Sequence, residues 1–181
     1  IYQLLGGARD RIQSYASTPM LEDVPAYLRY VEEMLEQGFR AIKFHAWCLP
    51  DKDLELARAV RQHFPGKEIA FMHDAENNYD RRAALRVAEE LQDLDFTWFE
   101  APLLDFDIEG YRELTEKVHI PVIPSGNWIQ DLPAFSEALR SKAWGAARTD
   151  VTVCGGFTPG RKWMAVVDAA GMACEVMAWG Y

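Results

Sequence analysis

Polar side chains recur at the ends of short hydrophobic runs along this chain, at a nearly constant spacing. Lys43, Asp74 and Glu100 end three such runs. Asn127 and Asp150 follow two more. These positions lie 23 to 31 residues apart, which is the length of one strand followed by one helix. A repeated βα unit with a polar residue at the carboxyl end of each strand is typical of a parallel barrel whose strand ends converge on one site.

The hydrophobic runs predict seven strands with helices between them. The strands are expected at residues 11–16, 41–47, 69–75, 96–101, 121–125, 146–152 and 172–178. The helices are expected at residues 22–37, 51–64, 80–93, 107–118, 131–141 and 158–170. The runs are nearly continuous, which is typical of a parallel sheet buried on both faces. The predicted fold is therefore α/β, a (β/α)8-type (TIM-like) barrel that is incomplete, with about seven strands.

The length of the chain bears on its domain organisation. Residues 1–181 are predicted to form a single partial βα-barrel domain. A closed barrel of this type has about eight strands in roughly 250 residues. We therefore expect the chain to be a segment of a longer polypeptide, whose eighth strand is not included here.

The composition argues against several classes of partner. The net charge is −9 and no basic run is present, so a nucleic-acid partner is not expected. No apolar run approaches the length of a membrane span, and no signal peptide is recognisable. Cys48, Cys154 and Cys174 show neither paired spacing nor a Cys-x-x-Cys motif. Reduced thiols and a cytoplasmic location are therefore expected.

Residues two apart on a strand share a face, so the sequence predicts which side chains enter the mouth of the barrel. Lys43 and His45 share a face on the second strand. Arg148 and Asp150 share a face on the sixth. Both pairs are expected to lie beside the carboxylates of the neighbouring strand ends. Arg148 and Asp150 could equally form a structural ion pair with each other.

Asp74 and Glu100 are the predicted metal ligands. Carboxylates on adjacent strand ends are hard oxygen donors, which suit Mg²⁺. A lysine or histidine beside them can remove a proton while the metal stabilises the negative charge that develops on the substrate. The structural alternatives are that the carboxylates form ion pairs with Lys43 or Arg148, and that His45 is a hydrogen-bonded structural histidine.

The ordered set of motifs resembles the enolase superfamily. The motifs are Leu-Leu-Gly-Gly at 4–7, Lys-x-His at 43–45, Asp74, Trp-Phe-Glu-Ala-Pro at 98–102, Gly-Asn-Trp at 126–128 and Asp-x-x-x-x-Gly-Gly-x-Thr at 150–158. The branch that the chain resembles most is the mandelate racemase and acid-sugar dehydratase group. The resemblance implies Mg²⁺-assisted removal of the proton α to a carboxylate. It also implies a capping domain before the barrel, which is not in this chain.

The resemblance assigns roles to individual residues. Asp74 and Glu100 match the first two metal ligands of the family. Lys43 matches the first lysine of the family's Lys-x-Lys motif, and His45 stands where the second lysine, usually the base, is expected. Asp150 matches the aspartate that pairs with a histidine on the seventh strand.

Three positions depart from the family pattern. The third metal ligand, a glutamate in the family, falls on Gly126, and only Ser125 or Asn127 could replace it. The histidine of the seventh strand falls on Met177, which cannot take or give a proton. Glu76 stands where the family has an asparagine. A racemase, which needs a base on each face of the substrate, is therefore disfavoured relative to a dehydratase with one base.

Three functions are compatible with the sequence. The first is an Mg²⁺-dependent dehydratase of a sugar acid or related hydroxy acid, with His45 or Lys43 as the base and Arg148 and Asn127 as substrate-binding residues. The second is a catalytically silent homologue that serves as a binding or assembly subunit. The third is a lyase or aldolase that uses Lys43 as a Schiff-base nucleophile. The expected partners are a small carboxylate substrate and further copies of the chain in a homo-oligomer.

Overall fold

The computed structural model of the protein describes residues 1–177, which contain seven strands and six helices in alternation. The strands are β1 (Ala16–Ser17), β2 (Ala41–His45), β3 (Ala70–Asp74), β4 (Trp98–Glu100), β5 (Val122–Ile123), β6 (Ala147–Asp150) and β7 (Cys174–Met177). The helices are α1 (Val24–Glu36), α2 (Pro50–His63), α3 (Arg81–Asp93), α4 (Ile108–Lys117), α5 (Leu132–Arg140) and α6 (Phe157–Ala169). Residue 178, with which the predicted seventh strand ends, lies outside the described residues.

All the strand pairs are parallel. One sheet has the order β1-β2-β3-β4-β5, and β6 pairs with β7 in a second sheet. A helix connects each strand to the next, so the predicted α/β class is confirmed. Within residues 1–177, no helix combines the length and the apolar composition that crossing a membrane requires.

The first strand is shorter and later than the sequence predicts. Residues 11–16 were expected to form it, but only Ala16 and Ser17 pair with β2. Ile12 is 88% exposed, whereas Ala16 is buried. The segment before Ala16 therefore lacks the apolar side chains that a strand buried on both faces needs.

The core lies between the sheet and the surrounding helices. Phe44, Phe71 and Phe99 are fully buried on the outward faces of β2, β3 and β4. The ring of Phe44 lies 5.8 Å from the ring of Phe71 and 6.1 Å from that of Tyr27 on α1. Since side chains alternate along a strand, the residues next to these phenylalanines in the sequence point into the barrel.

Four of the six loops from strands to helices end at a side-chain cap. Four helices begin after an aspartate whose carboxylate accepts a hydrogen bond from a backbone N–H in the first turn: Asp23, Asp80, Asp107 and Asp131. Such a cap satisfies a donor that has no partner within the helix. Each cap fixes where its helix begins, and so limits the length of the loop above the strand end.

A buried polar network joins α2, β3 and the loop before α3. The Tyr79 hydroxyl donates to Asp53 Oδ2 at 2.5 Å and lies 3.1 Å from His73 Nε2. The backbone N–H of Trp47 donates to Asp53 Oδ1 at 3.1 Å. His73 and Asp53 are both buried, and each has a hydrogen-bond partner within the protein, as buried polar groups require.

Glycine permits β6 to approach β5. The Gly145 N–H donates to the Val122 carbonyl at 2.9 Å. A Cβ atom at residue 145 would lie only 2.9 Å from Pro121 Cα. The two sheets therefore meet closely at this point only because residue 145 carries no side chain.

Candidate active site

The strand register places three of the predicted site residues side by side. His45 pairs with Asp74 across β2 and β3, and Asp74 pairs with Glu100 across β3 and β4. Lys43 lies two residues before His45 on β2, so its side chain points into the barrel from the same face.

A cavity of about 430 Å³ opens at these strand ends. Its lining includes every predicted site residue except Asp150: Lys43, His45, Asp74, Glu100, Asn127 and Arg148. Six residues from five different strand ends or following loops are therefore brought together, as the spacing of the polar residues predicts.

Lys43 bridges the two carboxylates. Its ammonium lies 3.0 Å from Asp74 Oδ2 and 2.8 Å from Glu100 Oε1, and the side chain is buried. Burial alone would lower the pKa of Lys43, but the negative charges of Glu100 and Asp74 outweigh it and raise the pKa above its ordinary value. Lys43 is thus a fixed cation at neutral pH. A Schiff-base nucleophile needs a lowered pKa, so this contact argues against the aldolase alternative.

The two carboxylates differ in their electrostatic environment. Burial acts to raise the pKa of Asp74, but the hydrogen bond from His45 and the charge of Lys43 hold that pKa below its usual value. Burial and the negative charge of Asp74 raise the pKa of Glu100 to about 7, against the opposing charges of Lys43 and Arg148. Asp74 is therefore ionised at neutral pH, whereas Glu100 can hold or release a proton there.

His45 lies between Asp74 and the end of β1. Its Nε2 is 2.9 Å from Asp74 Oδ2, and its Nδ1 is 3.0 Å from Ser17 Oγ and 3.2 Å from the Thr18 carbonyl. The side chain is 27% exposed and lines the cavity. Since the carboxylate only accepts, we assign a proton to Nε2. In the neutral ring Nδ1 then accepts from the Ser17 hydroxyl, and when Nδ1 is protonated it can donate to the Thr18 carbonyl.

Arg148 pairs with Glu100, and the predicted alternative of an ion pair with Asp150 is wrong. Arg148 Nη1 lies 2.8 Å from Glu100 Oε2, and Nη2 lies 3.0 Å from the sulfur of Met177. Asp150 Oδ1 instead accepts hydrogen bonds from the backbone N–H and the hydroxyl of Thr152, at 2.7 and 2.5 Å. The long arginine side chain reaches across the mouth to β4, whereas the short aspartate turns back onto its own loop.

Asp150 lies apart from the cavity although the family pattern gives it a catalytic role. It is fully buried, and its Oδ2 atom has no hydrogen-bond partner among residues 1–177. Its partner in the strand register is Met177, which cannot supply the proton that a histidine would. The catalytic role of Asp150 stays a prediction.

Asp105 is a buried residue that the sequence reasoning missed. Its carboxylate accepts hydrogen bonds from the Ser125 N–H at 2.8 Å, the Ser125 hydroxyl at 2.7 Å and the Gly126 N–H at 3.1 Å. These bonds fix the turn that carries Asn127 into the cavity lining. The sequence signal for Asp105 is weak, an acidic residue between Leu104 and Phe106 in a largely apolar loop.

The residues present do not fit a complete three-ligand metal site. Asp74 and Glu100 are in place, but both are engaged by cations of the chain itself. Gly126 has no side chain, and the Ser125 hydroxyl is donated to Asp105. Across residues 1–177, no group of three or more His, Cys, Asp or Glu side chains is arranged to hold a metal ion.

Comparison with known proteins identifies the family. A family model described as enolase C-terminal domain-like matches residues 26–180. The chain belongs to the enolase superfamily. Within this superfamily it is similar to the mandelate racemase and muconate lactonizing enzymes, so the predicted resemblance is confirmed.

Solved structures of enolase-superfamily proteins share the fold. A Pseudovibrio sp. protein assigned provisionally to the mandelate racemase/muconate lactonizing enzymes superposes with a TM-score of 0.96 and 37% identity, over 99% of this chain and 48% of its own. D-glucarate dehydratase from Agrobacterium tumefaciens, complexed with magnesium, superposes with a TM-score of 0.85 and 31% identity, over 97% of this chain and 49% of its own. The predicted TIM-like barrel, present here in part, is confirmed.

Curated relatives of the superfamily are similar in sequence over most of this chain. The 3,6-anhydro-alpha-L-galactonate cycloisomerase of Streptomyces coelicolor is 31% identical over 95% of this chain and 48% of its own length. The chain thus spans about half the length of the curated relatives it matches.

Proposed function

We propose that this chain is the barrel part of an enzyme that removes the proton α to a carboxylate and completes the dehydration of a sugar acid or related hydroxy acid. The observation that carries the proposal is the grouping of His45 with two buried cations, Lys43 and Arg148, in one cavity. Relatives named as a dehydratase and a cycloisomerase of sugar acids support this class of substrate.

The two cations are suited to the negative charge of the reaction. A carboxylate substrate that enters the cavity meets the Lys43 ammonium and the Arg148 guanidinium. When the α-proton leaves, its electron pair moves toward the carboxylate oxygens, where buried cations stabilise charge more strongly than water does.

His45 is the base that the geometry favours over Lys43. Lys43 is held protonated by its two carboxylate partners, so it cannot accept a proton at neutral pH. The imidazole of His45 can accept the α-proton at Nδ1 once the Ser17 hydroxyl turns away, and Asp74 and the Thr18 carbonyl then stabilise the cation that forms. In dehydration, the Cβ–O bond breaks as the Cα=Cβ double bond forms, and the imidazolium returns the proton to the departing hydroxyl, which leaves as water.

Magnesium was the cofactor predicted from the sequence, on Asp74 and Glu100. The D-glucarate dehydratase structure is complexed with magnesium, which supports a role for the metal in the superfamily. In this chain the donor set is incomplete at Gly126 and both carboxylates are paired with cations. No step of the proposed mechanism therefore passes through a metal ion.

A catalytically silent homologue is the second candidate. Met177 faces Arg148 at the position of the family histidine, and Gly126 stands at the position of the third ligand. Both changes remove groups with which the family performs chemistry. The predicted homo-oligomer and cytoplasmic location stay predictions under either function.

Exchange of the α-proton in D₂O separates the two functions. The purified protein is incubated with a panel of sugar acids that includes D-glucarate and galactarate, and ¹H NMR follows loss of the α-proton signal and formation of product. We expect His45→Gln to slow the reaction about 100-fold or more, because it removes the base. His63→Gln, which changes an exposed histidine paired with Glu32, should leave the rate unchanged. Absence of exchange and of product with every acid would favour the silent homologue.

A further inference from the structure

The backbone and side chain of Arg148 pack tightly against position 126. Gly126 has φ of +77°, and a Cβ atom built there would lie 3.0 Å from both the carbonyl carbon and Cγ of Arg148. A larger residue at 126 would therefore require Arg148 or its strand to shift by a few tenths of an ångström. The absence of a side chain at 126, where the family has its third ligand, accommodates the present position of Arg148.

Arg148 brings a fixed positive charge to the place where a metal site would be completed. Its side chain is only 5% exposed, and its Nη1 is 2.8 Å from Glu100 Oε2. Lys43 contacts the other oxygen of Glu100 and also Asp74. The two carboxylates are thus balanced by two cations of the chain itself, and a divalent ion would add two further positive charges beside them.

The Nε–Nη2 edge of the guanidinium is not saturated by hydrogen bonds within residues 1–177. Arg148 Nε is buried and has no hydrogen-bond partner in the part of the chain that the structure describes. Nη2, on the same edge, lies 3.0 Å from the Met177 sulfur, and the Tyr15 side chain also interacts with the guanidinium. A thioether is a weak acceptor and a flexible side chain. Two N–H groups on one edge of a guanidinium match the two oxygens of a carboxylate.

We propose that the Arg148 guanidinium replaces a divalent metal ion in this site, and that it binds the carboxylate of the ligand directly through its Nε–Nη2 edge, with Met177 giving way. The identity of the ligand as a carboxylic acid rests on the proposed function. The replacement of the metal does not, because metal binding is measured without any ligand.

The first experiment measures metal binding alone. Protein freed of metal with EDTA is titrated with Mn²⁺, followed by electron paramagnetic resonance, and with Mg²⁺, followed by calorimetry. We expect no saturable binding at millimolar concentrations in the unmodified protein. Arg148→Met leaves the Glu100 carboxylate without its arginine partner, so this variant should gain Mn²⁺ binding. Adding Asp74→Asn to it should abolish that binding. Saturable binding by the unmodified protein that Asp74→Asn removes would overturn the proposal, whether or not the arginine variant folds.

The second experiment measures the carboxylate. D-glucarate and galactarate are titrated in EDTA and in Mg²⁺, with the thermal midpoint and calorimetry as readouts. We expect equal affinity in both buffers and a loss of about 10-fold or more in Arg148→Met. Arg140→Met, which changes an exposed arginine paired with Glu137, is the matched control. Binding that EDTA abolishes would overturn the proposal. If no acid binds in either buffer, the proposal that Arg148 binds a carboxylic acid is overturned, and the proposed function with it. The Mn²⁺ titration still decides whether Arg148 replaces a metal ion.

Discussion

Replacement of Asp105 by asparagine should destabilise the protein and release the turn that carries Asn127. The carboxylate of Asp105 accepts three hydrogen bonds, one at Oδ1 and two at Oδ2. An asparagine side chain keeps one acceptor oxygen and presents an NH₂ group in place of the other. In the better of its two orientations it retains the bonds from the Ser125 hydroxyl and the Gly126 N–H, and its NH₂ group faces the Ser125 N–H.

The size of the effect follows from the burial of the site. Asp105 is 1% exposed, so water cannot take over the lost hydrogen bond. Loss of one bond to a carboxylate, with a buried donor left unpaired, costs about 2 to 4 kcal/mol. Asp107→Asn is the matched control two residues away. Asparagine caps a helix as well as aspartate does, and the ion pair of Asp107 with Arg81 is partly exposed. We therefore expect the free energy of unfolding of Asp107→Asn to fall by less than about 1 kcal/mol.

Two measurements check the prediction for Asp105. Urea unfolding gives the free energy of unfolding of each variant. Hydrogen exchange with mass spectrometry reports the protection of the Ser125 and Gly126 amides, which should fall in Asp105→Asn and stay unchanged in Asp107→Asn. If the two variants unfold within about 0.5 kcal/mol of each other and the amides stay protected, the three hydrogen bonds do not hold the turn.

Three further changes test other parts of the molecule. Tyr79→Phe removes a donor to the buried Asp53 carboxylate, so the free energy of unfolding measured with urea should fall by about 1.5 to 3 kcal/mol. The control is Tyr30→Phe, whose hydroxyl donates to a carbonyl near the surface. An equal fall in both variants would contradict the prediction. Burial raises the pKa of the Cys48 thiol to about 11, so its alkylation by iodoacetamide, followed by mass spectrometry, should be slow at pH 7 and accelerate with each pH unit up to pH 10; a plateau below pH 9 would disprove the shift. Gly145→Ala forces β6 away from β5 and should lower the free energy of unfolding by about 1 to 3 kcal/mol; an unchanged value would show that the two sheets can separate freely.

The fold could be predicted because its signals are local and repeated. Each of the first six hydrophobic runs is followed by a helical pattern, and the run lengths match strands buried on both faces. The first strand is the exception. The prediction extended it back through Ile12, but that residue is exposed and pairs with no strand among residues 1–177. Only two residues of β1 pair with β2, and sequence periodicity cannot detect so short a strand.

The site could be predicted only where backbone geometry decides it. The alternation of side chains along β2 explains why Lys43 and His45 both line the cavity. The partner of Arg148 could not be read in this way, because a long side chain can reach across the barrel to Glu100 as easily as along its own strand. Asp105 was missed for a related reason. Its role depends on a loop 20 residues further along the chain, and no short motif links the two.

The strand register has a consequence for how such a site tolerates insertions and deletions. His45, Asp74 and Glu100 face one another only because β2, β3 and β4 pair at matching positions. A shift of β3 by one residue would turn Asp74 outward among the helices and bring His73 into the mouth. The same shift would expose Phe71 to the interior of the barrel, so one slip would damage the chemistry and the core together. Changes in chain length are therefore expected to accumulate in the loops, whereas the strands keep their length.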